Sequence, residues 1–300
     1  MASLVKICIF AARDKKTKAI IYNYSMKFKP FLLAAILMMA AQVFAQDGEK
    51  LDTQPQPVRK SKVPIWLNLS MGGNIADCYD NGTVPFRYLG VGGNGGLGIT
   101  VEWRRCHVQN ETRVVGNMLE ISGYSINIDS KTDFLYRFYD SKRNRLHLWA
   151  GGGIETFYDI KEIPAMMNAA MGASVFENLC AEGMLSYDFA FIRGGSHNLL
   201  TAYGKLTLPV AGLVVRPGYA YMDNYTSDIN MANTILQDYE TFGKWFPGVG
   251  TDIGLNFNLL NGNRIGVSYR WDYLTTGHKG TYRFDNALHS VNLNLMFNIH

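Results

Sequence analysis

From Val63 onward the chain alternates apolar and polar residues, and this pattern limits the fold more than any other feature of the sequence. Consecutive side chains of a β-strand point to opposite faces, so strict alternation gives a strand one apolar and one polar face. The segment Ser290–His300 shows this best, because its odd positions are all apolar and most of its even positions are serine or asparagine. The odd positions are Val291, Leu293, Leu295, Phe297 and Ile299. The sequence therefore predicts an all-β chain of amphipathic strands.

The preceding segment has the pattern of an antiparallel hairpin. Two alternating runs, Ile253–Leu259 and Ile265–Tyr273, flank Asn261-Gly262, a strong signal for a tight turn. Their apolar faces include aromatic residues, and their other faces consist of glycine, asparagine, serine and charged residues. This composition suits an exterior that faces lipid and an interior that is hydrated or salt-bridged. The alternative is a soluble barrel around a lipophilic ligand, which would place the apolar face of the last strand inside.

Twelve strand segments are predicted, with ten or eight as alternatives. The connections after odd-numbered segments are predicted to be longer than those after even-numbered ones, so long and short connections lie at opposite ends of a closed barrel. The segments are 64–75, 90–104, 112–124, 131–139, 145–157, 167–176, 182–192, 199–208, 213–222, 247–259, 264–273 and 288–299.

In its alternation, unequal connections, aromatic positions and amphipathic last strand, the chain resembles the outer-membrane β-barrel proteins of Gram-negative bacteria across residues 63–300. The resemblance implies an antiparallel transmembrane β-barrel with short periplasmic turns and longer extracellular loops. It also implies a monomer in contact with outer-membrane lipid and lipopolysaccharide, inserted by the barrel-assembly machinery. In that superfamily the last strand often ends on an aromatic residue, whereas here Phe297 is followed by Asn298, Ile299 and His300.

The N-terminal region has the pattern of an export signal. A basic segment beginning at Met26 precedes a short apolar run, and Val43 and Ala45 suit cleavage after Ala45. Residues 26–45 are therefore predicted to be the signal peptide, residues 1–25 a start-site extension, and residues 46–62 a polar periplasmic lead-in. Of the 29 basic and 25 acidic residues, 7 and 1 precede residue 46, which leaves 22 and 24. This near-neutral balance argues against nucleic acid as a partner.

The polar faces of the predicted strands carry acids and bases, and the apolar faces carry aromatic residues expected at the lipid interfaces. The lumen-lining candidates are Glu102, Arg104, Glu120, Glu182, Asp188, Lys205, Arg216, Asp252, Arg264, Arg270 and Asp272. The interface candidates are Trp103 near the periplasmic side, and Tyr187, Phe189, Phe191, Tyr219, Tyr221, Trp271 and Tyr273 near the outer side. The charges either line a narrow watery passage or pair across the lumen and close it.

Motifs for other chemistry are weak. Gly90–Gly95 fits a G-x-G-x-x-G pattern, but a strand follows it where a nucleotide site would need a helix. Outer-membrane lipid hydrolases share a His-x-Ser that is absent here, and Ser196-His197 and His289-Ser290 are adjacent pairs that face opposite sides of a strand. The histidines show no metal-binding spacing, and Cys78, Cys106 and Cys180 are expected as isolated thiols in loops and turns. No enzyme activity, metal or cofactor is predicted.

The predicted loop 223–246 is the longest, and its many apolar residues indicate that it packs on the rim, enters the lumen or contacts a partner. A short helix is considered near 230–239. The leading functional hypothesis is a narrow, passive or weakly selective pore for small polar solutes. The alternative is a non-conducting barrel that acts as a scaffold, adhesin or complex subunit, and the third hypothesis is a lipid hydrolase.

Overall fold

The computed structural model describes residues 63–103, 105–141, 145–169, 171–189, 199–217, 239–259, 261–277 and 282–299, all within one compact unit. The predicted signal peptide and lead-in lie outside these ranges. A short 3-10 helix spans Pro164–Ala169. No helix in the described ranges has the length and apolar character needed to cross a membrane.

Eleven strands make up the described structure. They are β1 (Ile65–Asp80), β2 (Val84–Trp103), β3 (Cys106–Leu119), β4 (Gly123–Asp140), β5 (Leu146–Glu162), β6 (Met171–Phe189), β7 (Leu200–Pro217), β8 (Tyr239–Trp245), β9 (Gly248–Asn258), β10 (Arg264–Thr275) and β11 (Phe284–Asn298). Each is antiparallel to its partners, and β1 pairs with both β2 and β11. Within the described residues, ten strands therefore close a barrel, and β8 lies outside the ring. We call the end where β1 begins and β11 ends the terminal end, and the opposite end the distal end.

β8 is collinear with β9. It pairs with the distal part of β7, Ala211–Pro217, whereas β9 pairs with the terminal part, Leu200–Thr207. Phe246, with a φ of 49°, and Pro247 interrupt the two strands. Residues 239–245, predicted as part of the long loop, are thus a strand, while 218–238 lie outside the described residues and with them most of the predicted helix.

The prediction of twelve strands is wrong, because two pairs of predicted segments are each one long strand. Segments 167–176 and 182–192 fall on β6, and 199–208 and 213–222 fall on β7. Leu179 faces Ala211 and Cys180 faces Pro209, so Val210 bulges out of the ladder. A bulge accommodates a proline that cannot donate a ladder hydrogen bond, and Pro209 near Gly212 imitates a turn in the sequence.

The connections also differ less in length than the sequence predicted. At the distal end, residues 81–83 and 120–122 are tight turns, although 163–170, 218–238 and 276–283 are longer. At the terminal end the links are 104–105, 141–145, 190–199 and 259–263. Several strands are far longer than the 9 to 11 residues that a bilayer requires, with 20 in β2 and 19 in β6. Residues predicted as loops therefore extend the strands.

The outer surface of the barrel carries an apolar belt. Val291 and Leu293 of the last strand are 57% and 41% exposed, which contradicts the alternative with this face inside. Other exposed members are Leu67, Leu69, Met71, Leu97, Ile253, Leu255, Val267 and Phe297. Towards the distal end an exposed ion pair between Asp77 and Arg87, with N and O 3.0 Å apart, lies on the same outer face.

Candidate functional site

The lumen is lined by the inward-facing residues, which alternate along each strand with the outward-facing residues of the apolar belt. β4 illustrates this, because Tyr124, Ile126 and Phe138 are exposed while Asn127 and Asp129 are buried. Parity thus decides which side chains meet inside the barrel. The inward residues fall into three layers between the distal and the terminal end.

The distal layer contains two clusters of buried apolar side chains, with buried asparagine and serine side chains between them. One cluster contains Ala76, Cys78, Val84, Tyr88, Val115, Leu119, Ile163 and Leu288, and the other contains Phe157, Phe176, Val214, Leu274 and Phe284. The rings of Phe176 on β6 and Phe284 on β11 have centroids 5.1 Å apart. Because these strands lie on opposite sides of the ring, their contact spans the lumen at this level.

A buried charge cluster lies beside this apolar layer, near the distal rim. Asp80 of β1 accepts hydrogen bonds from Lys161 Nζ at 3.2 Å and from Arg216 Nη2 at 2.5 Å. Lys161 also contacts Asp159, with N and O 2.6 Å apart. Both cations lie over the ring of Phe284, at 4.5 and 5.2 Å. Strands β1, β5, β7 and β11 are therefore tied together across the lumen.

The middle layer is a network of ion pairs. Arg113 of β3 reaches Asp272 of β10 at 2.8 Å, and Arg270 of β10 reaches Asp129 of β4 at 2.7 Å. Further pairs are Arg113 with Asp129, Arg270 with Asp272 and Glu111, Lys131 with Glu182 and Asp133, and Lys205 with Asp133 and Glu182. These pairs join opposite walls of the barrel at mid-height.

The terminal layer encloses a cavity of about 340 Å³. Its wall includes Asn68, Glu111, Trp149, Tyr203 and Asp252, and the ion-pair network forms its distal floor. At its terminal rim, Arg264 contacts Glu102 at 3.1 Å, and these side chains are still 24% and 31% exposed. The cavity is thus polar, and solvent reaches its rim from the terminal end.

A second group of polar contacts borders the cavity on β4 to β7. His147 Nδ1 lies 2.5 Å from Asp140, and its Nε2 lies 3.4 Å from Asp188. Thr201 donates a hydrogen bond to Asp188 at 2.6 Å. The guanidinium of Arg137 lies 5.2 Å above the ring of Trp149. This side of the rim is fixed by hydrogen bonds and ring contacts.

Nine of the eleven lumen candidates face the interior. Glu102, Asp188, Lys205, Asp252, Arg264, Arg270 and Asp272 line the cavity, Glu182 contacts Lys131 and Lys205, and Arg216 belongs to the distal charge cluster. Glu120 instead lies exposed in the turn 120–122 and accepts a hydrogen bond from the Leu89 backbone. The inward positions of β3 near the distal end are the odd-numbered Val115, Asn117 and Leu119, so Glu120 has the opposite parity. Arg104 lies outside the described residues.

Sequence reasoning missed several interior charges on β3, β4 and β5. The group comprises Glu111, Arg113, Asp129, Lys131, Asp133, Glu155, Asp159 and Lys161. A usable signal existed on β4, where Asn127, Asp129, Lys131 and Asp133 alternate with less polar neighbours. The predicted strand began only at 131, which removed half of that signal.

The interface aromatics divide between the two ends. Trp271 and Tyr273 stack on β10 towards the distal end, with ring centroids 6.5 Å apart. Tyr187 and Phe189 lie at the opposite, terminal end on β6, the same end as Trp103 on β2. Splitting β6 into two strands reversed the predicted direction of its second half. Phe191, Tyr219 and Tyr221 lie outside the described residues.

The predicted histidine–serine pairs and the three cysteines can also be located. His289 faces outward, where its Nδ1 lies 2.7 Å from the Tyr269 hydroxyl, and Ser290 is buried inside, so the two cannot act together. Ser196 and His197 lie outside the described residues. Cys78, Cys106 and Cys180 are unpaired, but they lie in strands and not in loops. In the described ranges no three His, Cys, Asp or Glu side chains are grouped to hold a metal ion.

Comparisons with known proteins return similarity in structure alone. No family model matches the chain, and no curated protein matches it in sequence. The outer membrane protease OmpT from Escherichia coli is 7% identical with a TM-score of 0.41, covering 84% of this chain and 99% of its own. The translocator domain of the autotransporter NalP from Neisseria meningitidis is 7% identical with a TM-score of 0.35, covering 90% and 97%. Neisserial surface protein A is 8% identical with a TM-score of 0.29, covering 77% and 97%. These neighbours are outer-membrane β-barrels that differ in activity.

Proposed function

We propose that this protein is a β-barrel of the outer membrane of a Gram-negative bacterium. The exposed apolar belt supports this location, because a bilayer is the solvent in which such a surface is stable. Each of the ten ring strands described is also paired on both sides, as a strand in the hydrocarbon region must be. The distal end, which carries the longest connection, is the outer end in this proposal, and the terminal end faces the periplasm.

We further propose that the barrel does not conduct, and that it serves as a scaffold or a subunit of an envelope complex with a polar cavity open to the periplasm. One observation carries this proposal, which replaces the pore favoured by the sequence. At the distal end, two apolar clusters and the buried cluster of Asp80, Lys161 and Arg216 fill the interior between the described strands. A hydrated passage would need open space along its polar lining, and the inward side chains at this level of the described residues are buried.

Single-channel recording tests the proposal. Residues 46–300, which retain the whole described barrel, are refolded, checked by heat-dependent gel mobility and inserted into a planar bilayer beside a known porin. Silence from the folded protein is the expected result, with current steps from the porin. Reproducible current steps from this protein would disprove the closed lumen and restore the pore hypothesis.

A further inference from the structure

The charges in the middle and terminal part of the lumen do not balance. Around the network, four cations meet seven carboxylates, which leaves three negative charges in excess when all are ionised. The cations are Arg113, Lys131, Lys205 and Arg270, and the carboxylates are Glu111, Asp129, Asp133, Glu155, Glu182, Asp252 and Asp272. Charge removed from bulk water requires a counter-charge or strong hydrogen bonds.

Two of these carboxylates face the cavity with little compensation. Asp252 makes no ion pair within 4.0 Å in the described part of the chain, and it accepts one long hydrogen bond, 3.4 Å, from the Tyr203 hydroxyl. Glu111 lies 3.9 Å from Arg270 and accepts a hydrogen bond from Ser70 at 3.3 Å. Both side chains line the cavity, so their charge is directed at its contents.

The residues of the cavity wall also include buried acceptors without a donor. Asp133 Oδ1, Asn292 Oδ1 and Asn68 Oδ1 are buried atoms of the cavity wall that accept no hydrogen bond. Asp133 and Asn292 are 3% and 6% exposed as residues. A buried acceptor without a donor is costly, and a cationic N–H is the strongest donor for it. These acceptors add to the excess of carboxylates around the cavity.

We propose that this cavity binds a small organic cation that carries one or more ammonium groups. Each ammonium offers three donors, which match the carboxylates of Asp252 and Glu111 in the cavity wall. The volume of about 340 Å³ suits a small molecule, being within the range of ligand pockets and far larger than a bare ion requires. Tyr203 in the wall supplies a ring for contact with the carbon chain or with an ammonium group.

A metal ion fits the cavity less well than an amine. In the described residues no group of three His, Cys, Asp or Glu side chains converges as metal ligands would. This inference rests on the proposed function in one respect. If the distal lumen is closed, the ligand must enter the cavity from the terminal end.

Calorimetric titration of the refolded 46–300 barrel in zwitterionic detergent tests the proposal, with spermidine, putrescine and magnesium chloride as separate probes. We expect saturable binding of at least one amine. Asp252→Asn and Glu111→Gln should each weaken it at least tenfold. Asp285→Asn is the matched control, because Asp285 pairs with Arg283 near the distal rim and does not line the cavity. This control should bind within twofold of the parent chain.

Gel mobility confirms that each variant is folded, and both substitutions keep the side-chain shape. Three outcomes would overturn the proposal: no saturable amine binding, binding of magnesium but of neither amine, or equal loss in all three variants. Conductance separates this inference from the proposed function. A barrel that conducts and still binds an amine at Asp252 would disprove the closed lumen and support the site.

Discussion

The distal and terminal halves of the lumen are built by the same ten strands, yet they are filled in opposite ways. The distal half holds aromatic and aliphatic side chains around one compact charge cluster, and the terminal half holds a polar cavity with an excess of acids. The apolar belt outside covers both halves. Alternation of apolar and polar residues therefore specifies that a strand belongs to the barrel. The identity of the inward residues specifies whether the lumen is packed or hydrated at a given height.

The largest effect is expected where a cation is removed from the packed half. Lys161→Met leaves Asp159 without its cation, and we expect the free energy of unfolding to fall by about 3 to 5 kcal/mol. Lys205→Met is the matched change in the hydrated half, where Lys131 still compensates Glu182 and water reaches the site. It should cost about 1 to 2 kcal/mol. Urea unfolding in lipid vesicles measures both values, and equal losses would argue against the distinction between the halves.

A somewhat smaller effect is expected from a cavity in the distal layer. Phe176→Ala removes a fully buried ring that contacts Phe157 and Phe284, and should lower the free energy of unfolding by about 3 kcal/mol. Leu179→Ala, on the lipid-facing side of the same strand, is the control and should change it much less. The same urea titration applies. A loss at Leu179 as large as that at Phe176 would show that the distal interior is not tightly packed.

Glycine substitutions extend the comparison to the two faces of the wall. A Cβ at Gly92 would overlap the carbonyl oxygen of Gly116, so Gly92→Ala must move backbone and should cost about 2 kcal/mol. At Gly204 a Cβ meets nothing within 4 Å, and Gly204→Ala should be close to neutral. Refolding yield and thermal midpoint of both variants test this difference. Equal tolerance would mean that β2 and β3 lie further apart than described.

The smallest effect is expected at the exposed ion pair. Asp77→Ala breaks the contact with Arg87 in solvent and should cost less than about 1 kcal/mol. Asp80→Ala, on the same strand but buried between Lys161 and Arg216, should cost several times more. A salt titration separates them further, because only the exposed pair is well screened. Similar losses and similar salt dependence would place Asp80 in contact with solvent.

The barrel class could be predicted from the sequence because lipid imposes one rule on every outward position. The strand number could not, since the bulge at Val210 opposite Cys180 keeps β7 continuous through a proline that resembles a turn. Interior roles were predicted where acids and bases alternate with apolar residues, as for Asp252, Arg270 and Asp272. Glu111 and Arg113 of β3 were missed because the predicted segment began at 112 and its even position Glu120 was assigned to the lumen, whereas the odd positions face inward. Which charges pair across the lumen depends on strand order and register, which local sequence does not contain.

The closure of the ring has a consequence for how the chain reaches its native state. Trp66 near the start of the barrel is paired with Asn298 near its end, so the last ladder joins residues separated by most of the chain. Contacts of such sequence separation form late, because the entropy lost in bringing the ends together must be met first. Until then β1 and β11 each present an open edge that can pair with another molecule. The interval between synthesis and ring closure is thus the time when this protein is most prone to aggregate, and a chaperone that covers strand edges would act in that interval.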